Sequence, residues 1–215
     1  MSRLERLLDN PALFYAGRFI LVGRQLATRR LLREHLGTTP DEVVLDVCCG
    51  IGEFAEAVDG TYVGIDWNDK FIDQARRKYQ QSSAKTFQVG NAMRLPFPEK
   101  HFDKAMLVNA LHHFPDDGAV RLLSEIRRVT RRLVLIIDAD GTPKGLLRRL
   151  LVAIDRGKFM RSLKDLSSVI GRVFEIEQVV CFEVGLYTEF LFRCPVDATA
   201  GQFCHPTSTR PEDRV

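Results

Sequence analysis

The chain has 215 residues, which is enough for one α/β domain with a full core and too few for two domains of ordinary size. Apolar residues make up 45% and charged residues 27% of the sequence, as in soluble globular proteins, so a chain dominated by disorder is excluded. The net charge of +3 is small, and no compact basic run is interleaved with aromatic residues. Nucleic acid is therefore not an expected partner.

The cysteines and the N-terminal sequence indicate the cellular compartment in which the protein is expected. The cysteines form an odd set without zinc-like spacing or a redox motif: Cys48, Cys49, Cys181, Cys194 and Cys204. We interpret them as reduced thiols and expect a cytoplasmic protein. The first residues lack the apolar core of a signal peptide, and no window approaches the roughly 18 uncharged apolar residues of a membrane-spanning helix.

Residues 1–36 predict a helical segment ahead of the first strand. Asn10-Pro11 suits an N-cap and first helical residue, apolar side chains then recur near the helical period, and Gly37 ends the pattern. Seven arginines stand against three acidic residues, so the segment is basic. Two interpretations remain open: an N-terminal helical cap over the ligand cleft, or a helix packed on the sheet edge with a solvated basic face.

The strongest pattern in the chain is a strand, a glycine turn and a helix in direct succession. The β-branched apolar run 43–47 contains Asp46, a turn with Gly50 and Gly52 follows, and residues 53–58 have helical spacing. Because glycine has no Cβ, such a turn lets a ligand approach the main chain. The pattern predicts the floor of a nucleotide site.

Two classes of nucleotide ligand fit such a turn. Gly50-x-Gly52-x-x-Ala55 matches the dinucleotide fingerprint, in which a pyrophosphate sits on the helix N-terminus. Asp46 disfavours that ligand, because its carboxylate would face the pyrophosphate with like charge. The same carboxylate suits a ligand with an ammonium and a sulfonium group, and S-adenosylmethionine carries both. A nicotinamide-dependent oxidoreductase remains the alternative.

Three further motifs follow in order along the chain. Tyr62 to Asp66 predicts a strand that ends in a carboxylate, which can accept hydrogen bonds from the ribose hydroxyls of either nucleotide. The stretch 90–97 follows a third apolar strand, and 102–114 forms a fourth strand and turn. With the glycine turn, these motifs resemble the class I S-adenosylmethionine-dependent methyltransferases over roughly residues 42–140.

The resemblance is closest to the branch that methylates small molecules and quinone precursors, although the family usually has a glycine where Cys48 stands. It implies S-adenosylmethionine as the cofactor. It also implies a Rossmann-like three-layer α/β sandwich, whose seven-stranded, mostly parallel sheet ends in an antiparallel hairpin. The cofactor-binding residues that we expect are Asp46, Cys48, Gly50, Gly52, Asp66, Trp67, Asn91, Ala92, Met93 and Asn109.

The central part of the sequence alternates strands and helices, which predicts a parallel sheet covered on both faces. The predicted elements are strand 43–47, helix 53–58, strand 61–66, helix 69–81, strand 85–89, strand 103–108, helix 117–129 and strand 132–138. In such a sheet the ligand lies outside the carboxyl ends of the strands. The polar residues at these ends predict a single site: Asp46, Asp66, Asn91, Asn109 and Asp138.

Residues 144–164 carry seven basic residues against one acidic residue and are rich in leucine. We interpret 144–171 as a basic helical insertion near the acceptor site, and an ordinary surface helix is the alternative. The last helix of this region is predicted to begin after Ser162, which serves as its N-cap, and to end at Gly171.

The C-terminal region predicts two strands, 173–182 and 186–193, that form a hairpin. The methyltransferase domain then spans 37–194, and residues 195–215 are expected to form a flexible tail. Cys204-His205 supplies two of the ligands that a metal site needs, and no metal is expected.

Two adjacent histidines follow the predicted fourth strand. A histidine near pH 7 can remove a proton from an acceptor as its bond to a methyl group forms. We predict that His112 is the general base and that Asp138 orients it, because neighbouring strand ends lie ~5 Å apart. His113 is expected to point away and serve the turn. The alternatives are that both histidines only support the turn and that Asp138 only caps its strand.

Three function classes remain open. The first is a methyltransferase that acts on a small molecule. Because 1–36 and 144–164 are both basic and rich in leucine or phenylalanine, we expect an amphiphilic, lipid or quinone-like acceptor and peripheral contact with a membrane. The second class is the nicotinamide-dependent oxidoreductase. The third is a non-catalytic interaction module that keeps the cofactor fold. The presence of Asp46, Gly50, Gly52 and Asp66 disfavours it, because a module without the ligand would not need these residues.

Overall fold

A computed structural model of the protein describes residues 25–142 and 158–196. The helices of this part of the chain are α1 (Leu26–Leu36), α2 (Asp69–Lys78), α3 (Asp116–Val129) and α4 (Leu163–Gly171). The strands are β1 (Val43–Val47), β2 (Thr61–Asp66), β3 (Lys85–Val89), β4 (Phe102–Val108), β5 (Thr130–Ala139), β6 (Gln178–Val184) and β7 (Tyr187–Pro195).

The strands form one sheet in the order β3-β2-β1-β4-β5-β7-β6. The first five are parallel, and β7 lies antiparallel between β5 and β6. Helices α3 and α4 belong to the apolar cluster on one face of the sheet, whereas α1 and α2 belong to the cluster on the other. The predicted Rossmann-like α/β sandwich with an antiparallel terminal hairpin is confirmed.

The strand order places β1 at the centre of the parallel part of the sheet. From β1 the chain winds outward through β2 to β3, and then returns to place β4 on the other side of β1. Ligands bind at such a reversal, outside the carboxyl ends of the strands. The topology therefore predicts a ligand site at the carboxyl ends of β1, β2 and β4.

The predicted helix 53–58 is wrong. Only a single 3-10 turn forms there, Ala55–Ala57, and no side chain caps it. Gly52 N–H donates to Cys49 O at 3.0 Å, which closes a tight turn immediately before it, and the chain is extended again at Val58. A run this short offers too few intrahelical hydrogen bonds to offset the cost of helix nucleation.

The predicted start of the sixth strand is also wrong. The strand begins at Gln178 and not at Val173. Val173 N–H and Phe174 N–H both donate to Ile170 O, and Arg127 Nη1 donates to Val173 O at 2.8 Å. The two apolar residues thus complete a buried turn after α4. Their β-branched and aromatic character satisfied a strand pattern although they pack as a helix end.

The end of α1 is held by a buried lysine of β4. Gly37 adopts φ 51° and donates its N–H to Arg33 O, so the predicted glycine end of this helix is confirmed. Lys104 Nζ donates to Leu36 O at 2.7 Å and to Gly37 O at 2.9 Å, and forms an ion pair with Glu42 at 2.9 Å. A cation at the carbonyl end of a helix is favourable, so Lys104 fixes α1 against the sheet.

The start of α4 also agrees with its sequence signature. The Ser162 side chain accepts a hydrogen bond from Asp165 N–H at 3.3 Å, and the helix ends at Gly171 as predicted. In the part of the chain that the structure describes, no helix has the length and apolar character needed to cross a membrane.

Several predictions fall outside the described residues. Most of the N-terminal cap lies in 1–24, most of the basic insertion in 143–157, and the tail with Cys204-His205 in 197–215. The division of the chain into cap, domain and tail stays a prediction.

Candidate functional site

A cavity of about 190 Å³ lies at the carboxyl ends of β1, β2 and β4. Its lining comes mainly from the loops that follow these strands, as the topology predicts. The lining residues are Asp46, Cys48, Cys49, Gly50, Glu53, Phe54, Asp66, Trp67, Phe71, Val108, Asn109, Ala110, His113 and Phe114.

The glycine turn forms the floor of the cavity through Cys48 and Gly50. Both residues have positive φ, 60° at Cys48 and 55° at Gly50. At a residue with a Cβ such a conformation costs roughly 1–2 kcal/mol, so the turn is strained at Cys48. Gly52 does not line the cavity; a Cβ on it would lie 2.5 Å from the Phe87 ring. This glycine therefore lets the turn pack on the aromatic ring beneath it.

Asp46 is a buried carboxyl whose position follows from the register of two strands. Val44 pairs with Tyr62, and because side chains alternate along a strand, Tyr62 and Asp46 share one face of the sheet. The Tyr62 hydroxyl donates to Asp46 Oδ2 at 2.6 Å. Burial raises the pKa of Asp46 to about 7, the hydrogen bond from Tyr62 opposes the rise, and the charge of Asp66 adds to it.

Asp66 joins the end of β2 to the glycine turn. Its Oδ2 accepts from Gly50 N–H and its Oδ1 from Asn68 N–H, both at 2.9 Å. Burial raises the pKa of Asp66, and these backbone hydrogen bonds act in the opposite direction. A carboxylate has about four acceptor positions, so each oxygen keeps capacity for a ligand hydroxyl.

The predicted residues after β3 are not part of the cavity wall. Asn91 Oδ1 accepts from Met93 N–H at 2.9 Å, and Asn91 O accepts from Arg94 N–H at 3.0 Å. Asn91 thus closes a local turn that includes Ala92 and Met93. A role of these three residues in cofactor binding stays a prediction.

Eight lining residues are not among the site residues predicted from the sequence: Cys49, Glu53, Phe54, Phe71, Val108, Ala110, His113 and Phe114. Glu53 and Phe54 directly follow the glycine turn, so their position next to the ligand could have been inferred. Phe71 lies in the first turn of α2, one turn after Trp67, and helical spacing could have identified it.

The predicted pairing of His112 with Asp138 is confirmed. His112 Nδ1 is hydrogen-bonded to Asp138 Oδ1, and His112 N–H donates to Asp138 Oδ2 at 2.9 Å. His112 is nevertheless buried, with 5% of its surface exposed, and does not line the cavity. The expectation that His113 points away is wrong: it lines the cavity, with its ring centroid 4.3 Å from that of His112.

Arg161 holds the loop that carries both histidines. Its Nη1 donates to Leu111 O at 3.2 Å, and its Nη2 donates to Phe114 O and to Asp116 Oδ1, both at 2.7 Å. The guanidinium is buried. Arg161 is one of the seven basic residues of 144–164, the segment interpreted from the sequence as an insertion near the acceptor site or a surface helix. Its burial beside backbone and carboxylate acceptors assigns it a structural role.

The cavity is acidic. Its wall contains Asp46, Glu53 and Asp66, and the described residues contribute no lysine or arginine to it. Asn109 Oδ1 is buried there without a hydrogen-bond partner among the described residues. Acceptors in excess of donors favour a ligand that brings cationic or N–H groups. Among the described residues of this wall, a pyrophosphate would find neither a lysine or arginine nor an α-helix N-terminus directly after the glycine turn.

Comparison with known proteins agrees with this geometry. Residues 44–132 match a protein family described as "Methyltransferase domain". The demethylmenaquinone methyltransferase of Geobacillus stearothermophilus is 29% identical over 140 residues, covering 60% of this chain and 59% of that protein. The chain spans about half the length of the curated relatives that it matches.

Solved structures show the same fold. The magnesium protoporphyrin IX methyltransferase of Synechocystis PCC 6803, crystallised with bound S-adenosylhomocysteine, has a TM-score of 0.66 at 19% identity, with 81% of this chain and 84% of that chain covered. A [4+2]-cyclase has a TM-score of 0.65 at 17% identity, with 79% and 80% covered. The fold alone therefore does not define the reaction.

Residues 44–132 are thus similar in sequence to a methyltransferase domain, and the described part of the chain has the fold of solved methyltransferases. The curated relatives that the chain resembles are demethylmenaquinone methyltransferases.

The raised pKa of Asp46 predicts how stability depends on pH. The folded state holds the Asp46 proton up to about pH 7, whereas the ordinary value is 3.8, so stability is lost as the pH rises between these values. Asp46→Asn removes this loss. We expect the variant to be more stable than the wild type at pH 8, by on the order of 2 kcal/mol, with the difference shrinking toward pH 5. Urea denaturation at both pH values measures it.

The exposed Asp73 provides the matched control for that experiment. Asp73→Asn should leave the stability at both pH values within about 0.5 kcal/mol of the wild type. An Asp46→Asn variant that is less stable than the wild type at pH 8 would contradict the buried, proton-binding state of Asp46.

Proposed function

We propose that this protein is an S-adenosylmethionine-dependent methyltransferase that acts on a small, amphiphilic, quinone-like acceptor. The observation that carries the proposal is the acidic cavity, in which Asp46 and Asp66 stand at neighbouring strand ends without a lysine or arginine among the described lining residues. An ammonium and a sulfonium are stabilised there, whereas the pyrophosphate of a nicotinamide cofactor is repelled. The nicotinamide-dependent oxidoreductase and the non-catalytic module are the alternatives.

The residues at the site fit S-adenosylmethionine. Asp66 would accept hydrogen bonds from the ribose, and Asp46 would lie near the methionine amine. Gly50 and Cys48 bring the main chain to the ligand, and Trp67, which is 78% exposed at the cavity, offers an apolar surface. When bound, the sulfonium supplies an activated methyl group. The protein then has to hold the acceptor in line with it and to exclude water.

Proton removal from the acceptor is assigned to the paired side chains beside the cavity. Asp138, fully buried, accepts from the ring and the main chain of His112, and this fixes the imidazole. We keep His112 as the proposed general base, with Asp138 as its orienting partner. His113, whose ring lies against that of His112 and lines the cavity, is the competing candidate.

The acceptor class is inferred from the relatives and from the surface near the histidine loop. The matched curated relatives are demethylmenaquinone methyltransferases. Phe159 N–H donates to His112 O at 3.0 Å, which places Phe159, a partly exposed residue, beside that loop. Leu163, also partly exposed, lies four residues further along. Exposed apolar side chains next to a basic segment favour an amphiphilic acceptor delivered at a membrane surface.

Cofactor identity can be tested by calorimetry. The wild type should bind S-adenosylhomocysteine and give no heat with NAD. Asp66→Ala removes charge-assisted hydrogen bonds and should weaken S-adenosylhomocysteine binding by at least about tenfold. Asp69→Ala, an exposed acid three residues away, is the control and should bind like the wild type. Heat with NAD alone would support the oxidoreductase.

The acid–base assignment can be tested by comparing the two histidines. His112→Ala should lower kcat by about 10²–10⁴ and leave the affinity for S-adenosylhomocysteine nearly unchanged, because a general base acts only in the chemical step. Steady-state kinetics and calorimetry on the same preparations measure both. A larger loss of kcat in His113→Ala than in His112→Ala would transfer the role of base to His113.

The acceptor class can be tested by methyl transfer from labelled S-adenosylmethionine. A reduced naphthoquinone with an isoprenoid tail should accept the label, and a small polar cationic amine should not. Anionic liposomes should bind the protein at low salt and release it at high salt, because exposed charges are screened. Methylation of the amine together with no liposome binding would exclude the amphiphilic acceptor.

A further inference from the structure

Asn109 is a residue of the cavity wall whose side-chain amide is held at one end only. It directly follows β4, has φ 51°, and donates its backbone N–H to Ile137 O at 2.8 Å. Its Nδ2 donates to Glu189 Oε1 at 2.9 Å. Its Oδ1 is buried and has no hydrogen-bond partner among the described residues. The amide thus has one satisfied end and one buried acceptor that lacks a partner among the described residues, on a residue that lines the cavity.

Glu189 connects this amide to two other elements of the fold. It lies on β7, where it pairs with Ala139 of β5, and only 2% of its surface is exposed. Besides the bond from Asn109, it accepts from Thr28 Oγ1 of α1 at 3.3 Å. A carboxylate that is ionised only accepts hydrogen bonds, so the NH₂ end of the Asn109 amide must face it. The orientation of the amide, and with it the position of Oδ1, follows from Glu189.

Strand order indicates which ligand group the open oxygen meets. Asp66 ends β2 and Asn109 follows β4, with β1 between them, so the two lie roughly 10 Å apart across the sheet. If Asp66 holds the ribose, Asn109 stands at the methionine end of the cofactor. The N–H donors at that end belong to the ammonium group.

We propose that Glu189 is a positioning residue for the cofactor: it fixes the Asn109 amide so that Oδ1 accepts an N–H of the methionine ammonium group. This inference rests on the proposed function, because it requires S-adenosylmethionine in the cavity. A buried acceptor without a partner is unfavourable, so a ligand that donates to it gains affinity. Glu189 would thereby control the affinity for the cofactor without touching it.

Glu189→Gln tests the orientation directly. Glutamine can donate its own NH₂ to Asn109 Oδ1, which turns the amide and consumes the acceptor. We expect the dissociation constant of S-adenosylhomocysteine to rise about tenfold, the loss of one hydrogen bond to a charged group. The affinity for 5′-methylthioadenosine, which lacks the amine and the carboxylate, should stay within about twofold of the wild type. Calorimetry with both ligands measures the contrast.

A double variant that places the carboxylate at position 109 and the amide at position 189 should restore cofactor binding. In the double variant Asn109→Asp with Glu189→Gln, the NH₂ group introduced on β7 can donate to one oxygen of the carboxylate introduced after β4. The other oxygen of that carboxylate is then again available to the ligand. This double variant should recover S-adenosylhomocysteine affinity to within about threefold of the wild type. Asn109→Asp alone brings two buried carboxylates together and should lower the melting temperature. Thr28→Val removes the hydrogen bond from α1 to Glu189 and should leave both affinities unchanged.

The outcomes separate this inference from the proposed function. Wild-type protein that does not bind S-adenosylhomocysteine would refute both. Wild-type binding with an equal affinity in Glu189→Gln, or with equal losses for the two ligands, would refute the positioning role alone. If Glu189→Gln is too unstable for calorimetry, the double variant decides: selective loss of S-adenosylhomocysteine binding there would overturn the proposal, and recovery would support it.

Discussion

The hydrogen bond from Gly50 N–H to Asp66 Oδ2 is the interaction on which the cavity depends. It ties the turn after β1 to the end of β2, beside the bond from Cys49 N–H to Ile65 O at 3.1 Å. The two bonds keep the turn folded back over the sheet edge, so that a carboxylate of β1 and a carboxylate of β2 face one space. Neither carboxylate meets a lysine or arginine in the described wall, so the charge of this space favours ligands that supply positive charge or hydrogen-bond donors.

The sequence was sufficient for most of the fold because its strands are short apolar runs bounded by glycine, aspartate or proline. β1, β2 and β3 have the bounds that this pattern predicts. It was insufficient after the glycine turn and before β6. Five or six residues with helical spacing do not specify a helix when nothing caps them, and Val173-Phe174 shows that β-branched and aromatic residues also complete buried turns. Both errors arise where a tertiary contact overrides local preference.

The site was predictable to the extent that it lies at strand ends. Asp46, Asp66 and Asn109 could be placed together by topology alone, and so could the pairing of His112 with Asp138. The direction of a side chain beyond the end of a strand could not, because φ and ψ in the loop decide it. For this reason the sequence did not show that His113, and not His112, lines the cavity. The bonds from Tyr62 to Asp46 and from Asn109 to Glu189 depend on strand register and order, which no local pattern contains.

The packing of the glycine turn also determines the chemical reactivity of its two adjacent cysteines. Cys48 packs against the apolar cluster on one face of the sheet, and Cys49 belongs to the cluster on the other face. Their thiols therefore point apart and are poorly placed to form a disulfide. Burial raises the pKa of both thiols, and the charges of Asp46 and Asp66 raise them further. Thiolate is the form that peroxides and electrophilic carbon attack. Burial, and with it the same carboxylates that favour a cationic ligand, therefore keeps the two thiols of the turn protonated and less reactive.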